Sequence, residues 1–429
     1  MTYDPRIAAP DLLTAADRAL AGAVAPVIRF AANEPFLPTH VGLTVLNAPR
    51  QSPSAELQIT FGPGVARVIE YAIWWDWDIQ HLYELEHVWV KLDAANRIVA
   101  VAASAHGELF DMVRPDGSLP IEDGRVTLYA EPGKHAFHAV PDTIVARRRE
   151  LEASCGPLTS AGHVLINAMF EDAFAAITAE DHRIVRRHLQ GRAFLPSFTF
   201  DQRFDVATLE RMSWPELHAY IARRVPEVLA TVRASQPLLK AVMIDSGDTL
   251  VDEATEIRDA QGYVVEAKLI PGAIEMLRRL TEEGYRLVLV ADGYKQSFDN
   301  VLGFHGVREH LEAEIISEIL RCEKPDQRMF DAALAALDID AADAGSVVMI
   351  GNHLGRDING ANRRGIISIW ENWSPRREKQ AASPDEVPDY VVRGPGEIPA
   401  LLEFIELSMA REAAHAAMSL TGQIRTAAQ

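Results

Sequence analysis

From Leu238 onward, short apolar runs alternate with amphipathic helical segments, and this alternation constrains the fold more than any other feature. Four runs are continuous and apolar, as in strands buried on both faces: "LKAVMID", "YRLVLVAD", "SVVMIGN" and "IISIW". Apolar residues at three- and four-residue spacing mark helices in "PGAIEMLRRLTEEG" and "QRMFDAALAAL". The pattern predicts an α/β fold with a Rossmann-like parallel sheet and helices on both faces.

The preceding part of the chain has a different rhythm. Residues 1–140 contain short segments rich in β-branched and aromatic residues, such as "ARVIEYAIWW" and "LEHVWVKLD", which predict strands. Residues 141–236 turn helical, with "AGHVLINAMFEDAFAAIT" and "SWPELHAYIARRVPEVLATVRA". We therefore predict a β-rich N-terminal domain over 1–140, a helical connector over 141–236, the α/β domain over 237–408, and a C-terminal helix end and tail over 409–429.

Composition excludes several classes of function. A chain of 429 residues exceeds what one core usually spans, so two domains are expected. The net charge of −19 disfavours a surface for nucleic acid or anionic membranes. The two cysteines lie far apart, and we see no signal peptide and no apolar run of transmembrane length. We expect a cytoplasmic protein with neither nucleic acid nor membrane as partner; its oligomeric state is not indicated.

Polar residues follow the predicted strands at one edge of the sheet. They are Asp245, Asp292, Asn352 and Asp357, and Lys324 lies in the loop "EKPDQRMF". Ligands of open α/β sheets sit beyond the carboxyl ends of the strands. Carboxylates there can hold Mg²⁺, a lysine can neutralise phosphate oxygens, and one aspartate can attack phosphorus. The set therefore indicates a site for an anionic group with a hard cation.

Four segments in this order resemble the haloacid dehalogenase (HAD) superfamily over about residues 238–408: "IDSGDTLVDE", "GYRLVLVADG", "EKPDQRMFDAAL" and "IGNHLGRDINGANRRGI". The resemblance implies a Mg²⁺-dependent hydrolase, most commonly of phosphate esters, with a covalent intermediate on Asp245. It also implies that Thr249 holds the loop and that Lys324 neutralises Asp245 and the transferred group. Asn352 and Asp357 stand where the family keeps its metal-binding acids, so the implied metal ligands are Asp245, Asn352 and Asp357.

Three positions depart from the family pattern. The residue two after the nucleophile is normally an aspartate that acts as acid and base, and here it is Gly247. Losing a positioned acid or base costs roughly 10²–10⁴-fold in rate. The second motif has Ala291, followed by Asp292, where a phosphate-binding Ser or Thr is usual, and the fourth has the neutral Asn352. Asp248 lies one residue out of register for the missing acid. A second interpretation is therefore a weak or silent HAD module that binds a phosphorylated ligand.

The segment after the nucleophile loop limits the cap. Dehalogenases of the superfamily also lack the second aspartate, but they need a sizeable helical cap. Here "ATEIRDAQGYVVEAKLI" predicts only a small hairpin, which disfavours dehalogenation. A minimal cap leaves the site open to a small-molecule or a larger phosphorylated substrate.

A second dense polar stretch, "WWDWDIQHLYELEHVWV", lies in the N-terminal part. Together with "SAHGE" and "YAEPGKHAF" it offers a candidate site for a second divalent cation, a buried hydrogen-bonded network or an acid/base pair, and a third interpretation places the main chemistry there. The candidate residues are Asp76, Asp78, His81, Glu86, His87, His106 and His135. On a straight strand Glu86 and His87 point to opposite faces, so one site cannot easily use both.

The pieces "NEPFLP", "YELEHVWV", "SAHG" and "EPGKHAF" are faintly similar to a β-sandwich family related to necrosis-inducing cytolysins and a vacuolar-sorting-associated group. The resemblance implies a β-sandwich-like domain that holds a cation. The heptapeptide G-H-R-H-D-W-E of the cytolysins is absent, so no membrane-damaging activity is expected.

Overall fold

The computed structural model describes residues 13–55, 57–105, 107–162, 164 and 169–427. The chain divides into two units, the first with residues 1–177 and 184–235 and the second with residues 178–183 and 236–429. Among the described residues, no helix combines the length and the apolar composition that a membrane crossing requires.

Unit 1 is rich in strands, consistent with the expected β-sandwich-like domain. Its strands are β1 (Val27–Phe30), β2 (His40–Leu46), β3 (Arg50–Gln51), β4 (Gln58–Ile59), β5 (Arg67–Trp77), β6 (Leu82–Leu92), β7 (Ile98–Ala105), β8 (Glu108–Asp111), β9 (Ile121–Glu122), β10 (Arg125–Ala130), β11 (Phe137–His138), β12 (Gln202–Asp205) and β13 (Arg211–Ser213). One sheet has the order β13-β2-β5-β6-β7-β8, and another has the order β11-β10-β1-β12 with β9 beside β10. Strands β3 and β4 form a separate pair.

The helices of unit 1 are α1 (Ala15–Ala23), α2 (Pro141–Val145), α3 (Arg148–Cys155) and α5 (Trp214–Ser235), while α4 (Ala179–Gln190) is divided between the units. Two strands of the sheets, β12 and β13, come from the stretch in which the sequence pattern indicated only helices. Their alternation is too short to stand out against the flanking helical pattern.

The predicted helix over residues 161–178 differs from the structure. Its described part contains only a 3₁₀ turn, Glu171–Phe174; residues 163 and 165–168 lie outside the described residues. The helix-like spacing of Phe170 and Phe174 has another cause, since both rings pack against Tyr83, at centroid distances of 6.0 and 5.6 Å. The four-residue spacing of Phe170 and Phe174 thus reflects the packing of aromatic rings in the tertiary structure and not an α-helix.

Unit 2 has the predicted parallel sheet. Its strands are β14 (Ala241–Ile244), β17 (Leu287–Ala291), β18 (Ala313–Ile316), β19 (Val347–Gly351), β20 (Ile367–Glu371) and β21 (Tyr390–Val392), in the order β18-β17-β14-β19-β20-β21. All neighbours in this sheet pair in parallel. Strand β14 therefore lies inside the sheet, with a strand on each side.

Helices cover both faces of this sheet. They are α6 (Ala273–Glu282), α7 (Lys295–Phe304), α8 (Ser317–Leu320), α9 (Gln327–Ala336), α10 (Asn359–Arg364) and α11 (Ile398–Ala427), and a π-helical turn, Leu354–Ile358, precedes α10. Alternate residues of β14 enter two different cores: Val242 and Ile244 pack into one, Ala241 and Met243 into the other. Burial on both faces explains why this strand is continuously apolar.

The segment between β14 and α6 is the small hairpin that the sequence predicted. Strands β15 (Val251–Arg258) and β16 (Val264–Leu269) pair antiparallel as an isolated two-stranded sheet. The sheet of unit 2 thus carries a minimal cap at the carboxyl end of β14.

Candidate active site

The carboxyl ends of β14, β17 and β19 bring the predicted polar residues together. Asp245 directly follows β14, and its backbone N–H donates to the carbonyl of Ile350 on β19 at 3.0 Å. Asp292 follows β17, and Asn352 follows β19. Because these strands are parallel and adjacent, their carboxyl ends share one edge of the sheet.

Lys324 connects two of the acids. Its Nζ donates to Asp245 Oδ1 at 2.6 Å, to Asp357 Oδ1 at 2.6 Å and to the carbonyl of Val290 at 2.8 Å. Burial disfavours the charge of this amine, but the carboxylates of Asp245 and Asp357 outweigh burial and raise the pKa of Lys324. Lys324 is therefore a fixed cation between two carboxylates.

Asp245 is a buried carboxyl group with an unusual proton affinity. Burial and the nearby charge of Asp357 raise its pKa to about 6, against the opposing effect of Lys324. At neutral pH the group is still ionised, and desolvation makes such a carboxylate a better nucleophile than one in water. Its second oxygen, Oδ2, lies 3.5 Å from the hydroxyl of Thr249.

Asp248 has a structural role. Its carboxylate is engaged in other contacts and therefore cannot replace the acid missing at Gly247. It is fully buried in a left-handed conformation with φ of 51°. Its carboxylate accepts a hydrogen bond from Ser374 Oγ at 3.0 Å and pairs with the guanidinium of Arg376. Asp248 thus anchors the segment "WSPRR" beside the loop that follows Asp245.

The space beside Gly247 is occupied by a residue that the sequence motifs did not indicate. A Cβ at this position would lie 2.1 Å from Oε1 of Glu253, which is part of β15. The other oxygen of Glu253, Oε2, pairs with Arg377. Position 253 ends the first of the four segments, "IDSGDTLVDE", but the resemblance assigns it no role; the sequence signal was only an extra acid just after the loop that follows Asp245.

Asn352 and Asp357 are both held tightly. Asn352 donates its amide N–H to the carbonyl of Gly247, which directs its amide oxygen elsewhere. Asp357 accepts from Lys324 through Oδ1 and from the backbone N–H of His353 through Oδ2 at 2.9 Å. Both oxygens of Asp357 thus have donors, and the group positions Lys324.

The second motif follows β17, which flanks β14 on the side opposite to β19. Ala291 is buried at the end of β17. Asp292 accepts the backbone N–H of Lys324 at 3.0 Å, so it fixes the lysine loop. Burial raises the pKa of Asp292, while Lys324 opposes the rise.

A cavity of about 180 Å³ opens next to these residues. It is lined by residues of the nucleophile loop, the hairpin, the loop after β17 and helix α7, among them Ser246, Gly247, Glu253, Asp292 and Tyr294. Typical pockets for drug-sized ligands measure about 300–1,000 Å³, so this cavity suits a smaller ligand.

Glu371 is a further acid that the sequence did not indicate. It ends β20 and is 1% exposed. Within the part of the chain that the structure describes, neither of its oxygens has a hydrogen-bond partner. Burial, with a contribution from the charge of Asp245, raises its pKa to about 9. Glu371 is therefore protonated at neutral pH.

In unit 1, the turn between β5 and β6 forms the core of the second candidate site. Ligand atoms of Asp78, His81 and Glu84 all lie within 4.8 Å of one another, with His81 Nε2 at 3.9 Å from a carboxylate oxygen of each acid. His81 Nδ1 lies 2.8 Å from the carbonyl of Tyr83. This contact favours the tautomer with the proton on Nδ1, which leaves Nε2 as a lone-pair donor towards the acids.

A second histidine lies against this turn. His135 is fully buried, and its Nδ1 lies 3.8 Å from Asp78 Oδ2. Its Nε2 lies 3.4 Å from Glu34 Oε1, and burial of His135 is outweighed by the nearby acids, which raise its pKa. Sequence reasoning missed Glu34, although it lies in "NEPFLP", and did not place Glu84 with these histidines.

The structure separates three of the predicted residues from this cluster. Asp76 forms a two-pronged ion pair with Arg224, with distances of 3.2 and 2.7 Å. Glu86 accepts from Ser104 Oγ. His87 stacks on Trp89, and burial lowers its pKa to about 3, so it is neutral. Side chains alternate along a strand, so the consecutive residues Glu86 and His87 of β6 diverge, while Asp76 belongs to β5. His106 lies outside the described residues.

Known proteins resemble the C-terminal half of the chain in sequence. The family model of haloacid dehalogenase-like hydrolases matches residues 171–365. The glyceraldehyde 3-phosphate phosphatase of Pyrococcus abyssi is 35% identical over 102 residues, which cover 24% of this chain and 41% of that protein. The protein of the same name from Methanopyrus kandleri is 29% identical over 131 residues, 30% of this chain and 55% of that protein.

The crystal structure of a HAD phosphatase from Thermococcus onnurineus is 20% identical, covers 38% of this chain and 97% of that chain, and has a TM-score of 0.32. The chain spans about half the length of the curated relatives it matches. The C-terminal half of the chain is a haloacid dehalogenase superfamily hydrolase domain, as its four motifs predicted.

Proposed function

We propose that unit 2 hydrolyses phosphate monoesters through a covalent aspartyl-phosphate intermediate on Asp245. The observation that carries the proposal is the fixed cation: Lys324 lies 2.6 Å from both Asp245 and Asp357. A lysine in this place neutralises the nucleophile and the incoming phosphate, which would otherwise repel each other. The names of the relatives, among them a phosphoserine phosphatase of Thermus thermophilus, support the same reaction class.

The substrate we propose is a small phosphorylated molecule. The cavity beside Ser246 and Gly247 has a volume of about 180 Å³, and the residues that line it include the exposed Tyr294 and Arg258. Such a volume favours a short-chain phosphate ester over a bulky one. The minimal hairpin cap is compatible with a cavity that is open to solvent and with one that another segment covers.

We propose Mg²⁺ as the cofactor of this reaction. Asp245 Oδ2 makes a long contact of 3.5 Å with Thr249, and the amide oxygen of Asn352 points away from Gly247. Mg²⁺ in phosphate-handling sites takes one or two protein oxygens and keeps several waters. Asp245 and Asn352 fit this requirement, with Asp357 adjacent. The bound ion would neutralise charge on the transferred phosphoryl group.

Phosphate release with Mg²⁺ tests the proposal. The panel includes glyceraldehyde 3-phosphate and phosphoserine, and wild type is compared with Asp245→Asn. We expect release by wild type alone, because the amide that replaces the carboxylate in this variant is not a nucleophile. Asp331→Asn, at an exposed ion pair with Arg364, is the control and retains activity. Binding of phosphate esters without release by either protein would favour a silent module that binds a phosphorylated ligand.

We propose a second, independent site for a divalent cation in unit 1. The specific observation is that His81 contacts a backbone carbonyl with Nδ1 and faces Asp78 and Glu84 with Nε2. Mixed nitrogen and oxygen ligands suit transition metals and zinc. His135 lies close enough to Asp78 to complete such a set.

Metal content after dialysis tests the cation site. We expect wild type to retain a divalent metal, and His81→Gln and Asp78→Asn to lose it. Asp76→Asn is the matched control from the same stretch, because the ion pair with Arg224 engages Asp76 instead. Equal metal content in all four proteins would refute the site.

A further inference from the structure

We propose that Glu253 is the catalytic acid and base of the phosphatase reaction, supplying from the hairpin the carboxyl group that the nucleophile loop lacks at Gly247. The inference rests on the proposed function of Asp245. It assigns a role to the last residue of the first motif segment, to which the resemblance gives none.

Steric exclusion is the first argument. A Cβ at position 247 would lie 2.1 Å from Oε1, 2.9 Å from Cδ and 3.2 Å from Cγ of Glu253. A side chain at 247 and the side chain of Glu253 therefore compete for the same space. The loss of the usual aspartate and the presence of the glutamate are two parts of one arrangement: glycine leaves room, and Glu253 brings a carboxyl oxygen there.

The backbone fixes Glu253 in this position. Its N–H donates to Asp248 Oδ1 at 3.2 Å, and Asp248 is itself held by Ser374 and Arg376. The backbone N–H groups of Leu250 and Val251 both donate to the carbonyl of Ser246, at 2.8 and 2.9 Å, which closes the loop tightly between the nucleophile and β15. A carboxyl group held on such a loop loses little entropy in reaching its target.

The two carboxyl oxygens of Glu253 have different surroundings. Oε2 pairs with Arg377, whereas Oε1 is the atom next to Gly247. Both Gly247 and Glu253 line the cavity proposed for the substrate. One oxygen thus orients the group, and the other faces the place where the reacting ester must lie to meet Asp245.

The electrostatic surroundings suit a proton donor. Burial raises the pKa of Glu253 above its ordinary value; Arg377 opposes this shift, and the negative charges of Asp248, Glu256 and Asp245 add to it. A carboxyl group with a raised pKa keeps a proton at higher pH and can pass it to a leaving group.

The proposed steps balance as follows. An oxygen of Asp245 forms a bond to phosphorus, the bond from phosphorus to the ester oxygen breaks, and Glu253 gives its proton to that oxygen, so an alcohol leaves. A water oxygen then forms a bond to phosphorus, Glu253 takes a proton from this water, and the bond to Asp245 breaks. Inorganic phosphate leaves, and both carboxyl groups return to their first states.

The test compares Glu253→Gln with wild type on an alkyl phosphate and on a nitrophenyl phosphate. We expect kcat on the alkyl ester to fall by roughly 10²–10⁴-fold, the cost of losing a positioned acid. Nitrophenolate leaves without a proton, so the variant should give a burst of nitrophenolate and then turn over slowly, because water is no longer activated. A purely structural role would slow both esters alike and would produce no burst.

A second variant places the acid back in the motif. Gly247→Asp combined with Glu253→Ala should regain at least tenfold over Glu253→Ala alone, because the shortened side chain at 253 leaves its space to the new aspartate. Glu266→Gln, an exposed acid on β16 of the same hairpin, is the control and keeps wild-type kcat.

The outcomes separate this inference from the proposed function. Full activity of Glu253→Gln on the alkyl ester, with Asp245→Asn inactive, overturns the role of Glu253 and leaves the aspartyl mechanism standing. Absence of phosphate release from wild type on every ester overturns both.

Discussion

Glu371 offers a sharp test of the electrostatics around Asp245. It ends β20, is 1% exposed, and carries a carboxyl group without a hydrogen-bond partner among the described residues. Burial, helped by the charge of Asp245, raises its pKa from 4.5 to about 9. Glu371→Gln replaces the protonated acid by a neutral group of nearly the same shape, and we expect it to stabilise unit 2 at neutral pH.

The size of the effect follows from proton linkage. Between pH 4.5 and about 9 the folded protein keeps a proton on Glu371 that the unfolded chain releases. The unfolded state binds fewer protons, so the free energy of unfolding falls as pH rises, by about 1.4 kcal/mol per pH unit. The stabilisation that the proton on Glu371 contributes to the fold is fully present below pH 4.5 and is lost progressively up to about pH 9. At pH 7 the loss amounts to about 3 kcal/mol, which Glu371→Gln avoids.

Hydrogen exchange of peptides from β19 and β20 measures this difference, because these buried strands exchange only when unit 2 opens. We expect protection in Glu371→Gln to exceed that of wild type by roughly 10²-fold at pH 7 and to equal it near pH 4.5. Glu378→Gln, at a nearby exposed acid, should show no difference at either pH. Protection that is equal at pH 7, or a difference that does not change with pH, would refute the reasoning.

Three other substitutions probe the contacts around the site. Lys324→Met leaves the carboxylates of Asp245 and Asp357 buried without their cation, so we expect a loss of about 3–5 kcal/mol in the free energy of unfolding and no phosphate release; an unchanged melting temperature would contradict this. Asp248→Asn removes the charge that Arg376 and Ser374 hold, and urea unfolding should show a loss of about 1–3 kcal/mol, whereas an unaltered midpoint would mean that the anchor does not matter. Gly360→Ala places a Cβ 2.2 Å from the ring of Phe330, so calorimetry should detect a loss of about 1–3 kcal/mol; Gly303→Ala, with nothing near its added Cβ, is the control.

The sequence predicted the sheet of unit 2 well because its physical causes are local. A strand buried on both faces must be continuously apolar, as β14 is, and a helix beside it must be apolar on one side. The hairpin after Asp245 was also predictable, since its turn and alternation lie within one short segment. Strands β12 and β13 were not, because they are short and join sheets built mostly from residues far earlier in the chain.

The same distinction applies to the two sites. The proximity of Asp245, Lys324, Asn352 and Asp357 was predictable because each follows a strand or lies in a motif of fixed order, while their roles stay predictions. In the N-terminal stretch, the high number of acids and histidines did not predict which of their side chains lie close together. Asp76 pairs with Arg224 and His87 stacks on Trp89, while His81 lies near Glu84, because side chains of a strand alternate between its two faces. Glu34 joins them from another loop, at a sequence distance that no local pattern can bridge.

If Glu253 acts as proposed, a missing motif residue is weak evidence of a silent enzyme. Read along the chain, Gly247 removes an acid and nothing replaces it, since position 253 belongs to a different element. Read in space, the hairpin folds back so that a glutamate oxygen lies where the side chain at 247 would begin. A catalytic group needs only to reach the reacting atoms in the right protonation state, and the chain can deliver it from either element. If Gly247→Asp with Glu253→Ala regains activity, either the loop or the hairpin can supply the carboxyl group. If it does not, the exact position and orientation of the carboxyl group decide the chemistry, not only the space that it occupies.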